Sequence, residues 1–453
     1  MNSPTRLALV ITVSMIVVVS LLTVAGVQST GPTKTAAQDF LVAHQELRGA
    51  VLKARSEGYT STDLLPISLQ LHQLDYQPAP LWLSSRPSFY RQLTGQLGQL
   101  QIELQGDMNR ATQKAQETSQ DNLKTAGQAI TQGASEGLDQ ATTSSLQDRL
   151  HTLQTAQSGS HTLQDFRRVD GNARQLIADS QALLKAQAEE NQLLEQSAQK
   201  LIAENGGNIP ALQQIAQGLL PGAQNDASVA AYLNYGHQFQ GDYLPLNIAY
   251  QRLEKYASNA GSSDLHQVAL AAAASQRYSS QIHDLLYQAM PAQTIVVSFQ
   301  DQALWAYQNG KLVQHTPVTT GEKDLPTDFG AMHVLRKNSP WQMNSPWPKD
   351  SPHYYPPTMV KMVLWFTNTG EGLHDAPWEF PSQFGPGGQY GGAASHGCIH
   401  LPDSAESFMY GWTNIGASVI VYPGNGSSVA NQLNQMTTDD HGIPANGSGY
   451  RGA

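Results

Sequence analysis

The sequence changes its hydrophobic pattern at Pro291, and this change constrains the fold more than any other feature. From Ala36 to about Met290 the chain is rich in Gln, Ala and Leu, and apolar residues recur at helical spacing, for example from Leu93 to Met108. After Pro291 come short β-branched and aromatic runs. The pattern therefore predicts a multidomain chain, with an all-α helical stalk domain over residues 36–290 and a mostly-β domain with a short helix over residues 291–422.

Local signals place several elements in the second domain. Asn309-Gly310 lies between apolar runs, which indicates a tight β-hairpin. Further strands are expected at 330–336 and 359–367, and a last strand at Ser418–Tyr422. Asp403 and Glu406 have the spacing of a capping box that would open a helix ending near Trp412. Residues 423–453 are rich in Gly, Ser and Asn, so we expect a disordered tail.

The N-terminal residues predict a membrane anchor. No charge interrupts the chain from Leu7 to Val27, and this segment would span ~31 Å as a helix, which matches a bilayer core. A cleaved signal peptide is the alternative, although its apolar region would be shorter. We therefore expect residues 1–6 in the cytoplasm, residues 7–27 in the cell membrane as a single pass, a linker at 28–35, and an extracytoplasmic remainder in the cell wall.

Charge and cysteine content exclude some classes of function. The formal net charge is −10 and no basic cluster is present, which argues against a nucleic-acid partner. The chain has one cysteine, so no intrachain disulfide can form. That cysteine is either an inert buried thiol or a reactive one, and its neighbours favour the second interpretation.

The segment Ser395-His396-Gly397-Cys398-Ile399-His400 combines a nucleophile with candidate bases. A nearby imidazolium stabilises a thiolate, so a depressed pKa is expected for Cys398. A glycine beside the nucleophile lets a substrate carbonyl approach backbone N–H groups. Upstream, Gly372-Leu-His374-Asp375 offers a further histidine.

These motifs resemble the L,D-transpeptidase (YkuD-type) catalytic domain over about residues 292–422. The signature is Ser-His-Gly-Cys-Ile followed by a polar residue. The opening hairpin, Val318-Thr-Thr-Gly321, Pro326-Thr-Asp-Phe-Gly330 and Gly372-Leu-His374 are similar to other family features and occur in the same order. The resemblance covers the β-rich domain and leaves the helical region unassigned.

The resemblance implies a role for each residue of the site. Cys398 is the acyl acceptor, His374 is the general base, and the backbone carbonyl of Asp375 orients the His374 ring. His396 supports the thiolate or serves as the fallback base. The amides of Gly397 and Cys398 form an oxyanion hole, and His400, with Ser395, contacts the substrate. Three departures from the family pattern are a longer spacing from His374 to Ser395, an Asp after His374, and His400 where Arg or Asn is usual.

The implied activity is peptidoglycan cross-linking by two-step acyl transfer through a Cys398 thioester, with stem peptides as substrates and no cofactor. Two alternatives stay open: a Cys-dependent L,D-carboxypeptidase or wall peptidase, and a non-catalytic wall-binding scaffold. The stalk is expected to contact wall or divisome proteins. Because it supplies no motif, we expect residues 292–422 to fold and react on their own.

Two further interpretations concern metal binding and the entrance to the site. His396, Cys398 and His400 alternate along the chain and, with His374, could hold zinc, although structural zinc ligands normally come in separated pairs. We therefore predict no metal.

Trp341, Trp347, Tyr354 and Tyr355 lie in the Pro-rich stretch 338–357, which is either a lid over the substrate groove or a surface loop with aromatic packing.

Overall fold

The protein is described by a computed structural model, which covers residues 31–322 and 324–424. The predicted segments 1–6 and 7–27, and the tail beyond Gly424, lie outside these residues. Between residues 31 and 424 no helix combines the length and the apolar character needed to cross a bilayer. The described part of the predicted linker, residues 31–35, is helical and begins the first helix.

The region predicted to be all-α consists of helices joined by loops, with no strand among its described residues, which confirms that prediction. Its helices are α1 (Gly31–Ser56), α2 (Leu65–Asp75), α3 (Arg86–Ser135), α4 (Gln140–Ser158), α5 (Leu163–Glu204), α6 (Ile209–Tyr235), α7 (Leu244–Ala257) and α8 (Leu265–Ala289). The predicted stripe in α3 is buried at Leu93, Leu97, Leu100 and Leu104, because residues three and four apart share a helix face.

The chain forms two compact units. Of the described residues, one unit comprises 31–136 together with Thr143–Leu184, and its core includes Leu47, Ile67 and Leu97. The other comprises Gly137–Thr142 and the described residues from Lys185 to Gly424. This second unit contains α6, α7 and α8 as well as every strand described below.

The C-terminal part of the second unit is built on two larger sheets and a hairpin. Its elements are β1 (Gln293–Ser298), β2 (Ala303–Gln308), β3 (Lys311–Pro317), β4 (Gly330–His333), β5 (Arg336–Asn338), β6 (Trp341–Met343), β7 (Thr358–Val360), β8 (Val363–Trp365), β9 (Gly372–Asp375), β10 (Ile399–Leu401), α9 (Asp403–Trp412) and β11 (Ser418–Tyr422). The strand orders are β3-β2-β1-β11-β4, β10-β9-β8-β5 and β6-β7.

The predicted hairpin is present, and the backbone of its turn explains why Asn309 and Gly310 occupy it. Asn309 and Gly310 both have positive φ, at 50° and 72°, as a type I′ turn requires. Gln308 pairs with Lys311 across this turn. An added Cβ at Gly310 would also lie 2.2 Å from the Tyr287 carbonyl oxygen of α8, so no other residue fits there.

The two faces of the five-stranded sheet pack against different partners. Alternation along β1 and β11 directs Val296, Ile420 and Tyr422 toward the helical core formed with α6 and α8. Ile295 and Val419 face the opposite way, into a core shared with the second sheet and α9. The helices therefore cover a large apolar face of the β-rich domain, which argues against the expectation that residues 292–422 fold on their own.

The close approach of the helices to the sheet is visible at one glycine. Gly236 follows α6, and a Cβ added there would lie 2.7 Å from the Cβ of Ala331 in β4. Real Cβ contacts are not this short, so even an alanine would push the helix away from the strand.

The capping box predicted at the start of α9 is wrong, although the helix has the predicted bounds. Pro402 is the N-cap, and no side chain caps this end. Asp403 instead binds Lys361, with 2.6 Å between Oδ1 and Nζ. Glu406 is fully buried without a hydrogen-bond partner, and burial raises the pKa of its carboxyl well above its usual value. Glu406 faces inward because the amphipathic face of this short helix takes precedence over local capping.

Candidate active site

Strand pairing brings the two predicted catalytic segments side by side. β10 runs parallel to β9, with His400 opposite His374 and Ile399 opposite Leu373. Leu373 and Ile399 are fully buried in the core between the sheets. Since side chains alternate along a strand, His374 and His400 project from the other face of the sheet.

That face lines a cavity of about 930 Å³, and Cys398 is part of the same cavity wall. Cys398, His374, His396, His400 and Ser395 all contribute to its wall. The structure therefore assembles five of the predicted site residues around one cavity of a size suited to a peptide segment. Their chemical roles stay predictions.

His374 is held in one tautomer by its neighbour. Its Nδ1 lies 2.8 Å from the Asp375 carbonyl oxygen, which can only accept a hydrogen bond, so Nδ1 carries the proton. Nε2 is then left with the lone pair that a general base requires. Burial, with His400 nearby, lowers the pKa of His374 to about 3, so the ring is neutral at neutral pH.

The Asp375 side chain has a structural role that the sequence did not suggest. Its Oδ1 accepts hydrogen bonds from the N–H groups of Lys361 and Met362, at 2.7 and 3.0 Å. These bonds fasten the turn between β7 and β8 to the strand that carries His374. Asp375 therefore fixes the His374 strand through its side chain as well as orienting the His374 ring through its backbone carbonyl.

The prediction that Cys398 has a depressed pKa is wrong. Its side chain is partly exposed to the cavity, yet desolvation raises the pKa of the thiol to about 12, and the nearby Glu371 carboxylate adds to this effect. The backbone N–H of Gly372 opposes the increase without cancelling it. The resting site therefore holds a neutral thiol and a neutral imidazole, and deprotonation has to accompany attack on the substrate.

The turn before the nucleophile is fixed by a relay of hydrogen bonds. Gly321 N–H donates to Thr327 Oγ1 at 2.9 Å, and the Thr327 hydroxyl donates to the Gly397 carbonyl at 2.8 Å. Gly397 has φ +117°, and a Cβ there would lie 2.8 Å from Glu371 Oε1. These contacts give a structural reason for the two upstream motifs, since they shape the loop that presents Cys398.

One of the two predicted oxyanion-hole amides is already engaged. Gly397 N–H donates to Ser395 Oγ at 3.1 Å, and Ser395 Oγ in turn donates to the Cys398 carbonyl. Only the Cys398 amide could therefore reach a substrate oxygen without breaking this bond. The oxyanion role predicted for Gly397 requires Ser395 to rotate away.

His400 binds a residue that sequence reasoning missed. Its Nδ1 contacts Glu379 Oε1, while Glu379 Oε2 accepts a hydrogen bond from Thr319 Oγ1 at 2.8 Å. Glu379 and His400 are both buried. Glu379 lies between β9 and β10 in the chain without any motif around it, so only the fold shows that it belongs to the site.

His396 faces a different part of the cavity. Its ring stacks on Tyr355 with 5.4 Å between centroids and lies 5.4 Å from the Trp347 ring. Burial lowers the pKa of His396. Among the described residues, the ligand atoms that lie close enough together to hold a metal ion belong to Glu322, His353 and His396. The zinc set considered from the sequence, His374, His396, Cys398 and His400, does not form such a group.

The aromatic segment 338–357 forms one wall of the cavity. Trp341, Trp347 and Tyr355 line it, whereas Tyr354 does not. The segment is held at its base by the β6–β7 pairing of Trp341 with Val360. Its aromatic residues therefore face the cavity, and its interpretation as a lid stays a prediction.

The family comparison agrees with this geometry. Residues 292–421 match the family model of YkuD, the L,D-transpeptidase catalytic domain. This match confirms the resemblance drawn from the motifs. It does not extend to the helical region before Pro291. No curated protein matches the chain.

Similar solved structures include three L,D-transpeptidases. The Mycobacterium smegmatis enzyme is 25% identical (TM-score 0.26), and the match covers 29% of this chain and 58% of that one. L,D-transpeptidase 3 from Mycobacterium tuberculosis, with a faropenem-derived adduct, is 27% identical (TM-score 0.26; 29% and 60% covered). A mutant Enterococcus faecium L,D-transpeptidase is 24% identical (TM-score 0.26; 29% and 50% covered). This chain spans less than two thirds of each of these structures.

Proposed function

We propose that this protein is a peptidoglycan L,D-transpeptidase that works through a Cys398 thioester. The observation that carries the proposal is that Cys398 and the tautomerically fixed His374 line one cavity within a YkuD-type domain. A nucleophile and an oriented base in one cavity are the minimum for acyl transfer. The substrate class, the stem peptides of peptidoglycan, comes from the family.

In the first step, the Cys398 sulfur attacks the carbonyl carbon after the third residue of the donor stem peptide. The thiol proton passes to His374 Nε2 as the carbon–sulfur bond forms, and the Cys398 amide stabilises the oxyanion. When the tetrahedral intermediate collapses, His374 returns the proton to the departing amine of the terminal D-residue. A thioester on Cys398 is left.

In the second step, the amine of an acceptor stem peptide attacks the thioester carbonyl. His374 takes a proton from this amine and delivers it to the departing sulfur, which restores the thiol. The product is an amide cross-link between two stem peptides. Water in place of the amine would give trimmed peptide, so product analysis separates transpeptidation from hydrolysis.

We also propose that residues 7–27 anchor the protein in the cell membrane, with the catalytic domain in the cell wall and the helical region available to wall or divisome proteins. The uncharged N-terminal segment supports the anchor. Protease treatment of intact spheroplasts tests this placement, because an extracytoplasmic domain is digested while a cytoplasmic one survives.

The test of the catalytic proposal is intact-mass measurement after exposure to a carbapenem, and product analysis after exposure to stem tetrapeptide. We expect one covalent adduct per chain and cross-linked peptide. Cys398→Ala should form neither, while keeping the same circular dichroism spectrum. An adduct on the Cys398→Ala protein, or no adduct on the wild type, would rule out the proposed function.

A further inference from the structure

A cluster of two imidazoles and a carboxylate adjoins the cavity through His396, which lines it, and lies outside the proposed catalytic pair. Glu322 Oε1 is 3.2 Å from His353 Nδ1 and 4.0 Å from His396 Nε2. The three ligand atoms all lie within 4.8 Å of one another, and all three residues are partly buried. The proposed mechanism uses neither Glu322 nor His353.

The three residues come from separate parts of the chain. Glu322 follows the short bridge between Gly321 and Ser395, His353 belongs to the aromatic segment 338–357, and His396 precedes the nucleophile by two positions. Their meeting is therefore a product of the tertiary fold. Aromatic rings surround the histidines, since Trp347 lies 5.7 Å from His353 and 5.4 Å from His396 between centroids.

The ligand set has the chemistry of a zinc site with an open position. Zn²⁺ binds histidine nitrogens and carboxylate oxygens at about 2.0–2.2 Å, and two histidines with one glutamate are a known three-ligand combination. Around a tetrahedral ion such ligands lie roughly 3.4 Å apart. Glu322 Oε1 is 3.2 and 4.0 Å from the two histidine nitrogens, and the third separation is also within 4.8 Å, so rotations that shorten the longer separations would complete the ligand set.

We propose that Glu322, His353 and His396 form a binding site for Zn²⁺ that adjoins the substrate cavity. The ion joins the aromatic segment, through His353, to the loop that carries Cys398, through His396. It thereby holds this segment against the cavity, and its fourth position is left for water or a substrate group. The site is independent of the proposed function, because its ligands bind whether or not Cys398 reacts.

Binding is tested by calorimetry with zinc chloride on the full chain carrying Cys398→Ala, which removes the thiol as a competing ligand. We expect about one equivalent of Zn²⁺, and at least tenfold weaker binding in Glu322→Gln and in His353→Ala. Glu322→Gln keeps the size of the side chain and all ring contacts, so it separates ligation from packing. X-ray absorption should show two nitrogen ligands and one oxygen ligand from the protein at about 2.0–2.2 Å.

The matched control is His266→Ala. His266 Nε2 lies 2.9 and 3.0 Å from the two Glu195 oxygens, so this pair has a histidine–carboxylate contact outside the three-residue group. Its removal should leave Zn²⁺ affinity unchanged. The proposal is overturned if the parent binds no equivalent of Zn²⁺, if Glu322→Gln binds as tightly as the parent, or if His266→Ala causes the same loss as His353→Ala.

Discussion

The imidazole rings of His374 and His400 lie 4.6 Å apart between centroids, because the two residues are opposite each other in the β9–β10 register. Glu379 contacts the second ring of this pair, at His400 Nδ1. His400 contributes to the low pKa of His374. A buried carboxylate with no sequence motif around it thus belongs, through its contact with His400, to the surroundings of the predicted base.

We predict that Glu379→Gln changes the pH dependence of acylation. The amide keeps the size of the side chain but removes the carboxylate that contacts His400 Nδ1. Because His400 lowers the pKa of His374, loosening this contact should raise that pKa and move the acidic limb of the acylation rate to higher pH. Rates of carbapenem adduct formation from pH 2.5 to 8 measure this shift. An unchanged profile would show that Glu379 only supports packing.

We predict that His374→Ala lowers the acylation rate by about 10²–10⁴-fold, the usual contribution of a general base. His396→Ala should have a smaller effect, because its ring packs among Trp347 and Tyr355. Stopped-flow or timed intact-mass measurements provide the rates. The opposite ranking would assign the base to His396.

We predict that Cys398 reacts slowly with a small alkylating reagent. A pKa of about 12 leaves far less thiolate at pH 8 than in an ordinary cysteine, so alkylation by iodoacetamide should be at least tenfold slower than that of a free thiol. The rate should continue to rise as the pH increases above 9. Fast alkylation at pH 7 would mean that the resting site holds a thiolate and that proton transfer precedes substrate binding.

We predict that a fragment of residues 185–424 is folded and acylated, whereas residues 292–424 alone are unstable. Without α6 and α8 the sheet would expose Val296, Ile420 and Tyr422, which form a contiguous apolar surface. Thermal melts and adduct formation compare the two fragments. Equal stability and reactivity would show that the helices contribute nothing to the catalytic domain and that the original division at Pro291 is also a boundary of independent folding.

Periodicity and local motifs in the sequence determined the main secondary structure and the family of the β-rich domain. Helical spacing located the all-α region, Asn309-Gly310 located a hairpin, and the segment around Cys398 identified the family. These predictions succeeded because each depends on residues close together in the chain. The capping box failed for a related reason, since local spacing could not show that Glu406 is drawn into the core.

Only the tertiary structure decided the pKa values in the site and which further residues belong to it. The pKa of the Cys398 thiol depends on desolvation, which is a property of everything packed around the sulfur and not of the adjacent histidines. Glu379 reaches His400, and Glu322 meets His353, only because strands and loops distant in sequence converge on one cavity. The sequence by itself determined which groups could react; the packing of distant segments determined their charge, their partners and the face of the sheet that the helices cover.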